Sequence, residues 1–495
     1  MDTEKAEAIR LEDLAQGRPS DLAGDDVVNE KAERGVRLKL DLVLLPLLSL
    51  SIFFGYLDRG QIGNARVLGM QKDLGFTNQQ FYNCVMMFYV GYMLIELPAA
   101  MSLRYFHPRY VFGIALLVFG VFAAIIPPAR SYGGVMTLRV LIGLGEAFTT
   151  NAYIFITLWY KPNELATRTA AVYGMTPIAG AISGVIAYGV GKNLENKSGL
   201  MAWEWLFVIE GVVTCAFGLL VIFLLPGLPE QTAAKGSYLF RSQEDRQAIL
   251  TRFAKSQNSK DAKLRPQQIW IAFKDLKLYL GSLMVGTAGV GIGAFSVFLP
   301  TFIKEFGFSR LETQLYSMIP YAFGLLGLLF FPWLSDRIHQ RALVTITCLG
   351  ITATGFIILM ATTNKVALVA GACFVAGGAY PSLVVSIAWL LTFHGGYTKR
   401  ATASWINQIF IQGYSIMATQ VYRNPPRYFL GHGIALGVYT IGILSAIACW
   451  WICSRANKAK DQRQAEFAAA GELDPDMDED YERLCDYHPG YRYTT

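Results

Sequence analysis

The chain has 495 residues, 53% of them hydrophobic and only 16% charged, with a mean hydropathy of +0.35 and a formal net charge of +6. A soluble chain carries about a quarter charged residues, which argues against a soluble enzyme, and Lys and Arg recur between apolar runs in a way that argues against a nucleic-acid partner. The cysteines show no CxxC spacing and the five histidines no ligand pattern, so no disulfide framework, metal or cofactor is expected.

Residues 1–37 are polar, with no apolar segment ahead of a small-residue cleavage site. They predict a disordered cytosolic tail without a removable signal peptide. Runs of about twenty apolar residues, enough to cross roughly 30 Å of hydrocarbon as helix, fall at 40–58, 80–102, 110–128, 133–159, 168–190 and 204–225. After a polar stretch at 226–272 they resume at 278–300, 314–334, 342–361, 366–391, 400–422 and 431–453. Lipid offers the backbone no hydrogen-bond partner, so each run is expected as helix. The predicted fold is an all-α membrane protein of twelve helices, in bundles at 38–225 and 273–453.

Within the central loop 226–272, Gln243–Phe253 reads as an amphipathic surface helix. The tail 454–495 carries an acidic run from Asp474 to Glu482, which predicts a disordered, solvated segment. Short loops bearing Arg104 and Arg109, Lys161 and Arg168, Arg337 and Arg341, and Lys399 and Arg400 share one side with both termini, which places that side in the cytosol. The sequon Asn196-Lys197-Ser198 then faces outward, where Asn196 can carry a glycan.

Two stretches recur at one constant offset. Lys72-Asp73-Leu74-Gly75-Phe76-Thr77 returns as Lys304-Glu305-Phe306-Gly307-Phe308-Ser309, and Leu103–Arg109 returns loosely as Ser335–Arg341. Two six-helix halves related in this way put a substrate cavity between them near the membrane midplane.

Charges inside apolar spans are costly, and each raises a functional hypothesis. The set is Asp58, Arg59, Glu96, Arg139, Glu146 and Glu210. At 1.5 Å per residue, Asp58 lies roughly 27 Å along the first span, near its outer end, and Arg139 roughly 9 Å below the outer end of the fourth. Pairing of these two is feasible, and Glu146 falls on nearly the same face as Arg139, two turns deeper. A poorly solvated carboxyl beside an arginine changes its proton occupancy when that arginine engages another anion. Structural ion pairs that hold helices in register are the alternative, most evenly weighed for Glu96 and Glu210. In the fifth span, Gly174, Pro177, Gly180 and Gly184 allow close approach and bending.

Several motifs together resemble the anion:cation symporter family within the major facilitator superfamily. They are Leu57-Asp58-Arg59 with Gly63-Asn64-Ala65, the run Arg139–Ala147 containing Gly143, Gly145 and Glu146, and Trp203–Gly211 containing Glu210. Pro425-Pro426-Arg427-Tyr428 before Gly431-His432-Gly433, and Thr398-Lys399-Arg400, are similar to the fungal allantoate permease branch. Asp336-Arg337 with Arg341 resembles the superfamily's cytosolic loop signature, an acid clamped by arginines at the inner gate. The first-half copy has Arg104 and Arg109 but Leu103 in the acid's place, with Glu96 as a candidate substitute.

The resemblance implies proton-coupled symport of a small organic anion, a carboxylate such as a vitamin, ureide or sugar acid, by alternating access. It implies Asp58 and Glu146 as proton carriers, Arg59 as a carboxylate ligand, Arg139 as its charge-pairing or gating partner, and Tyr56, Ser386, Trp389 and Asn407 as substrate contacts. Trp389 reads equally as an interfacial anchor and Asn407 as an interhelical bond. The lipid bilayer, protons and the anion are the expected partners of a monomer in the plasma membrane. An exporter of a secondary metabolite and a non-transporting nutrient sensor are the rival readings, and no nucleophile, base and orienter set supports an enzyme.

Overall fold

The structure, a computed structural model, describes residues 30–256, 265–422, 425–470, 474–477, 479 and 481–494. The first half contains α1 (Glu30–Lys39), α2 (Leu45–Val67), α3 (Asn78–Tyr105), α4 (Pro108–Ala124), α5 (Tyr132–Glu146), α6 (Asn151–Trp159), α7 (Pro162–Asn193) and α8 (Ala202–Leu224). A loop helix, α9 (Gln243–Ser256), precedes the second half. That half contains α10 (Leu276–Ala288), α11 (Phe295–Glu305), α12 (Met318–Ile338), α13 (Arg341–Ala361), α14 (Lys365–Leu390), α15 (Tyr397–Val421) and α16 (Phe429–Ala470). Among the described residues ten helices are long and apolar enough to cross a membrane by themselves. The 17-residue α4 and the more polar α15 complete two sets of six.

Four spans are not the plain α-helices expected, the eighth breaking at Ser317. The first is one continuous helical path from α1 through a π turn at Leu40–Leu44 into α2 and on to Val67. Asp58 therefore has nine further helical residues after it and does not sit at the outer end of its span. The fourth breaks after Glu146 into a turn, where Thr149 and Thr150 hydroxyls donate to the carbonyls of Glu146 and Ala147, and restarts as α6. The seventh passes through a π segment at Gly289–Ala294 between α10 and α11.

The internal repeat has a physical meaning. Gly75 and Gly307 both turn the chain at positive φ, 66° and 91°. Thr77 and Ser309 then each close a reciprocal capping box on the next helix, with Gln80 and Glu312. Equivalent connections in the two halves are built by the same local chemistry.

Helix α1 and the segment after α16, the two ends of the described chain, lie at one end of the bundle, and neither terminal boundary matches the expectation. Helix α1 starts at Glu30, inside the stretch expected to be a disordered tail, because Lys39 bonds Asp245 of α9 at 2.6 Å and Glu33 pairs with Lys161 and Arg252. Residues 1–29 lie outside the described residues. The C-terminal tail, expected to end in a disordered, solvated stretch around the acidic run Asp474 to Glu482, instead folds back against the second half just beyond that run. Asp486 is fully buried and bonds Lys277 at 2.8 Å, Lys399, and the Tyr493 hydroxyl at 2.8 Å. Lys460 of α16 donates to the carbonyls of Asp486, His488 and Tyr491. Composition predicts disorder only where charges lack partners, and here two lysines at the starts of α10 and α15 supply them.

Hydrogen bonds between the halves lie at the face opposite the termini or at mid-depth. At that face Arg310 reaches the Leu68 carbonyl and Glu195, and Gln79 donates to Gln420 at 2.8 Å. A Cβ at Gly63 would stand 2.0 Å from the Val297 carbonyl oxygen, so only glycine permits this crossing of α2 and α11. Deeper, the Tyr89 hydroxyl donates to the Gly293 carbonyl at 2.7 Å.

Candidate functional site

Four charged side chains meet where α2 crosses α5. Asp58 and Arg59 lie next to each other on α2, while Arg139 and Glu146 lie two turns apart on α5. Arg139 donates to Asp58 at 2.9 Å, and Arg59 donates to Glu146 at 2.7 Å. The four are 0–7% exposed. Two acid–guanidinium pairs in so little water are mutually neutralising, which makes their burial tolerable.

Small residues produce this geometry. A Cβ at Gly143 would fall 2.2 Å from the Phe88 carbonyl oxygen, and one at Gly91 2.4 Å from that of Val140, so α3 and α5 touch backbone to backbone. A Cβ at Gly55 would lie 2.9 Å from Glu146 Oε1. Glycine at position 55 is thus what lets the Glu146 carboxylate reach Arg59 across the helix.

Aromatic rings complete the lining. The Arg59 guanidinium lies 4.6 Å from the Tyr56 ring, 4.9 Å from Tyr92 and 5.2 Å from Phe88, and the Arg139 guanidinium lies 5.1 Å from the same Phe88 ring. Cation–π contacts stabilise a guanidinium that water cannot reach.

Half of each carboxylate is left over. Asp58 Oδ1 and Glu146 Oε2 are buried without a hydrogen-bond partner among the described residues. So are both oxygens of Glu210, 3% exposed on α8 and within electrostatic range of Asp58, Arg139 and Glu146. Three carboxyl groups thus share two guanidiniums, with acceptor positions spare.

The remaining sequence-predicted residues scatter. Glu96, half-buried on α3, accepts from Gln408 of α15 at 2.8 Å, so it faces the other half and does not stand in for the missing loop acid. The Arg104 side chain lies outside the described residues, and the Arg109 guanidinium stacks on Tyr110. Asp336 is exposed, and among the described residues no ion pair joins it to Arg337 or Arg341. Arg337 lies over the Trp333 ring, and Arg341 donates to the Ala388 carbonyl at 2.6 Å. The expected clamp is therefore not formed in this arrangement, because both arginines have nearer partners.

Trp389 is fully buried at the terminus-bearing end, and its indole N–H donates to the Thr494 carbonyl at 2.8 Å, so it anchors the C-terminal segment away from the charged cluster. Ser386, one turn earlier, is also buried. Asn407 accepts from Ser282 of α10 at 2.7 Å, an interhelical bond. Asn196 is exposed at the opposite face, at positive φ in the loop after α7.

Sequence reasoning found Tyr56 but missed the Phe88 and Tyr92 rings of the lining and a polar seam beside the cluster. Asn64 donates to Ser183 at 3.3 Å, and Gln61 Nε2 and Asn64 Oδ1 are buried without partners. Asn64 and Gln61, one turn apart just after Asp58 and Arg59 on α2, are the signal that could have marked it.

The family description Major Facilitator Superfamily matches residues 48–419. An uncharacterized transporter of Schizosaccharomyces pombe is 32% identical over 445 residues, covering 88% of this chain and 90% of its own. The high-affinity nicotinic acid transporter of Saccharomyces cerevisiae is 28% identical, covering 93% of this chain and 85% of its own. Among solved structures, a D-xylose-proton symporter superposes with a TM-score of 0.62 at 15% identity, covering 82% of this chain and 96% of its own. An inward-facing bacterial homolog of the human lysosomal transporter Spinster gives 0.60 at 16% identity, covering 83% and 96%.

Proposed function

The chain belongs to the Major Facilitator Superfamily, and we propose that it carries a small organic anion across the membrane together with protons, by alternating access. The observation that carries this reading is the pair of buried acid–guanidinium contacts, Asp58–Arg139 and Arg59–Glu146, with unused carboxylate oxygens beside them. A carboxylate arriving at Arg59 competes with Glu146 for the same donors. Once released, Glu146 is a buried carboxylate without a partner, and binding a proton removes the charge that burial penalises. Loading the anion and loading the proton thereby favour each other.

Two further facts support the reading. One relative's name specifies nicotinic acid, a carboxylate, and one fold neighbour's title specifies a proton symporter. With the terminus-bearing face in the cytosol, the contacts between the halves seal the outer side, an arrangement suited to release inward. Tyr56, in contact with Arg59, fits a substrate contact, whereas Trp389 and Asn407 are already engaged elsewhere.

The test is Glu146→Gln in reconstituted vesicles, scored with a panel of labelled carboxylates. Proton-driven accumulation is lost while exchange of anion across the membrane survives. Undiminished uphill uptake by the variant would overturn the coupling.

A further inference from the structure

A second site lies outside the charged cluster, at the terminus-bearing end of the first half. A cavity of about 450 Å³ opens where the loop between α3 and α4 meets the segment after α8, lined by His107, Arg109, Gln231, Lys235 and Tyr238 among others. The two segments touch closely: a Cβ at Gly227 would stand 2.8 Å from His107 Nε2. Gly236, at φ +74°, lies against the guanidinium of Arg246. Three basic side chains, His107, Arg109 and Lys235, therefore line one hollow, with Arg246 behind Gly236.

Their lack of partners sets them apart. Lys39, Lys161, Arg168 and Arg252 at this same end all make ion pairs, with Asp245, Glu33, Asp41 and Glu164 respectively. Among the described residues Arg109, Lys235 and Arg246 make none, and Arg109 Nε, Arg246 Nε and His107 Nδ1 are buried without a hydrogen-bond partner. Glu230, the acid of the short helix that bears Lys235, is not part of the lining. Burial, with Arg109 and Lys235 adding to it, holds the His107 imidazole below its usual pKa. A concentration of positive charge with unused donors is a site for an anion bearing several acceptor oxygens.

The rim specifies where that anion comes from. Phe106, Tyr110 and Phe223 are 64%, 47% and 75% exposed, and Phe223 ends an exposed apolar column on α8 that includes Val212, Leu219 and Leu220. Such a column faces acyl chains in a bilayer, and it runs directly into the basic hollow. Tyr238 is folded over the end of α8, its hydroxyl donating to the Leu224 carbonyl at 2.6 Å.

We propose that this cavity holds the phosphate of an anionic lipid headgroup, with the lipid's chains along the exposed face of α8. Basic pockets at the cytosolic ends of membrane helices suit such headgroups, each Lys or Arg near the surface adding to the attraction for their phosphates.

The test is native mass spectrometry of the full chain, released from detergent with phosphatidic acid, phosphatidylcholine or inorganic phosphate. The wild-type chain retains phosphatidic acid in preference to phosphatidylcholine, and R109Q/K235Q weakens that retention roughly tenfold to thirtyfold. The charge-preserving variant R109K/K235R keeps the preference, which separates loss of charge from loss of folding. Equal retention of phosphatidic acid by the wild-type chain and R109Q/K235Q overturns the site. Retention of inorganic phosphate without any preference between the two lipids makes the ligand a soluble phosphate and overturns the lipid assignment.

Discussion

Asp58 and Arg139 are 0% and 1% exposed and 2.9 Å apart, so each is tolerable only because of the other. Removing one partner of such a pair leaves an uncompensated buried charge at a cost of about 3–5 kcal/mol. Asp58→Asn is therefore expected to lower the apparent melting temperature in detergent sharply, and Asp58→Asn with Arg139→Gln to recover most of the loss without recovering transport. If single and double variants melt alike, the pair is not what holds α2 on α5. These residues were legible because an ionisable group inside an apolar run contrasts with everything around it. The rings of Phe88 and Tyr92 that surround Arg59 were not, because an aromatic residue in an apolar helix carries no such contrast. Partner choice was half legible: the depth argument reached Asp58–Arg139, but Arg59–Glu146 depends on the space left by Gly55, a side-chain packing fact.

Among the elements, the C-terminal segment departs furthest from its composition. Its acidic run, Asp474 to Glu482, reads as solvated, yet four residues beyond it Asp486 lies buried between Lys277 and Lys399, which are 209 and 87 residues away in sequence. Lysines at the starts of spans look like topology markers, so nothing local reveals that they wait for a carboxylate. Burial alone would raise the Asp486 carboxyl, but Lys277 and Lys399 outweigh it and hold it below the usual 3.8; Asp275 is lowered likewise, against burial, by His394, Lys277 and Lys399. A depressed carboxyl pKa contributes stability that is fully present above the unfolded value and is lost as the pH falls through the folded one. The melting temperature of the full chain should thus decline as the pH drops below about 4. Asp486→Asn should cost about 3 kcal/mol at neutral pH and flatten that decline. Identical pH profiles for the two chains would mean the segment is not docked through this carboxylate. The break in the fourth span has the same character: Glu146 ends α5 because the turn at 147–150 is stitched by Thr149 and Thr150, and an apolar run of continuous hydropathy hides it.

The two halves are the level at which the sequence spoke most clearly, because a repeat is a pattern of the whole chain. The constant offset between Lys72–Thr77 and Lys304–Ser309 required equivalent turns and caps, and those are the capped turns at Gly75 and Gly307. A repeat cannot say which face of the bundle is closed, since both closures use the same sequence. That information lies in contacts between the halves, above all at Gly63, where a Cβ would meet the Val297 carbonyl oxygen at 2.0 Å. Gly63→Val cannot be accommodated by a side-chain rotation, since the obstacle is backbone on both sides. The halves must separate at this face, and the equilibrium moves toward the arrangement in which it is open. The pair Gln79 and Gln420, joined across the same face at 2.8 Å, reports the outcome. With Gln79→Cys and Gln420→Cys, a short bifunctional thiol reagent should link the halves readily in the parent chain and poorly once Gly63→Val is added, with transport lost in parallel. Undiminished cross-linking in the Gly63→Val background would show that the face still closes, and that the crossing of α2 and α11 does not control it.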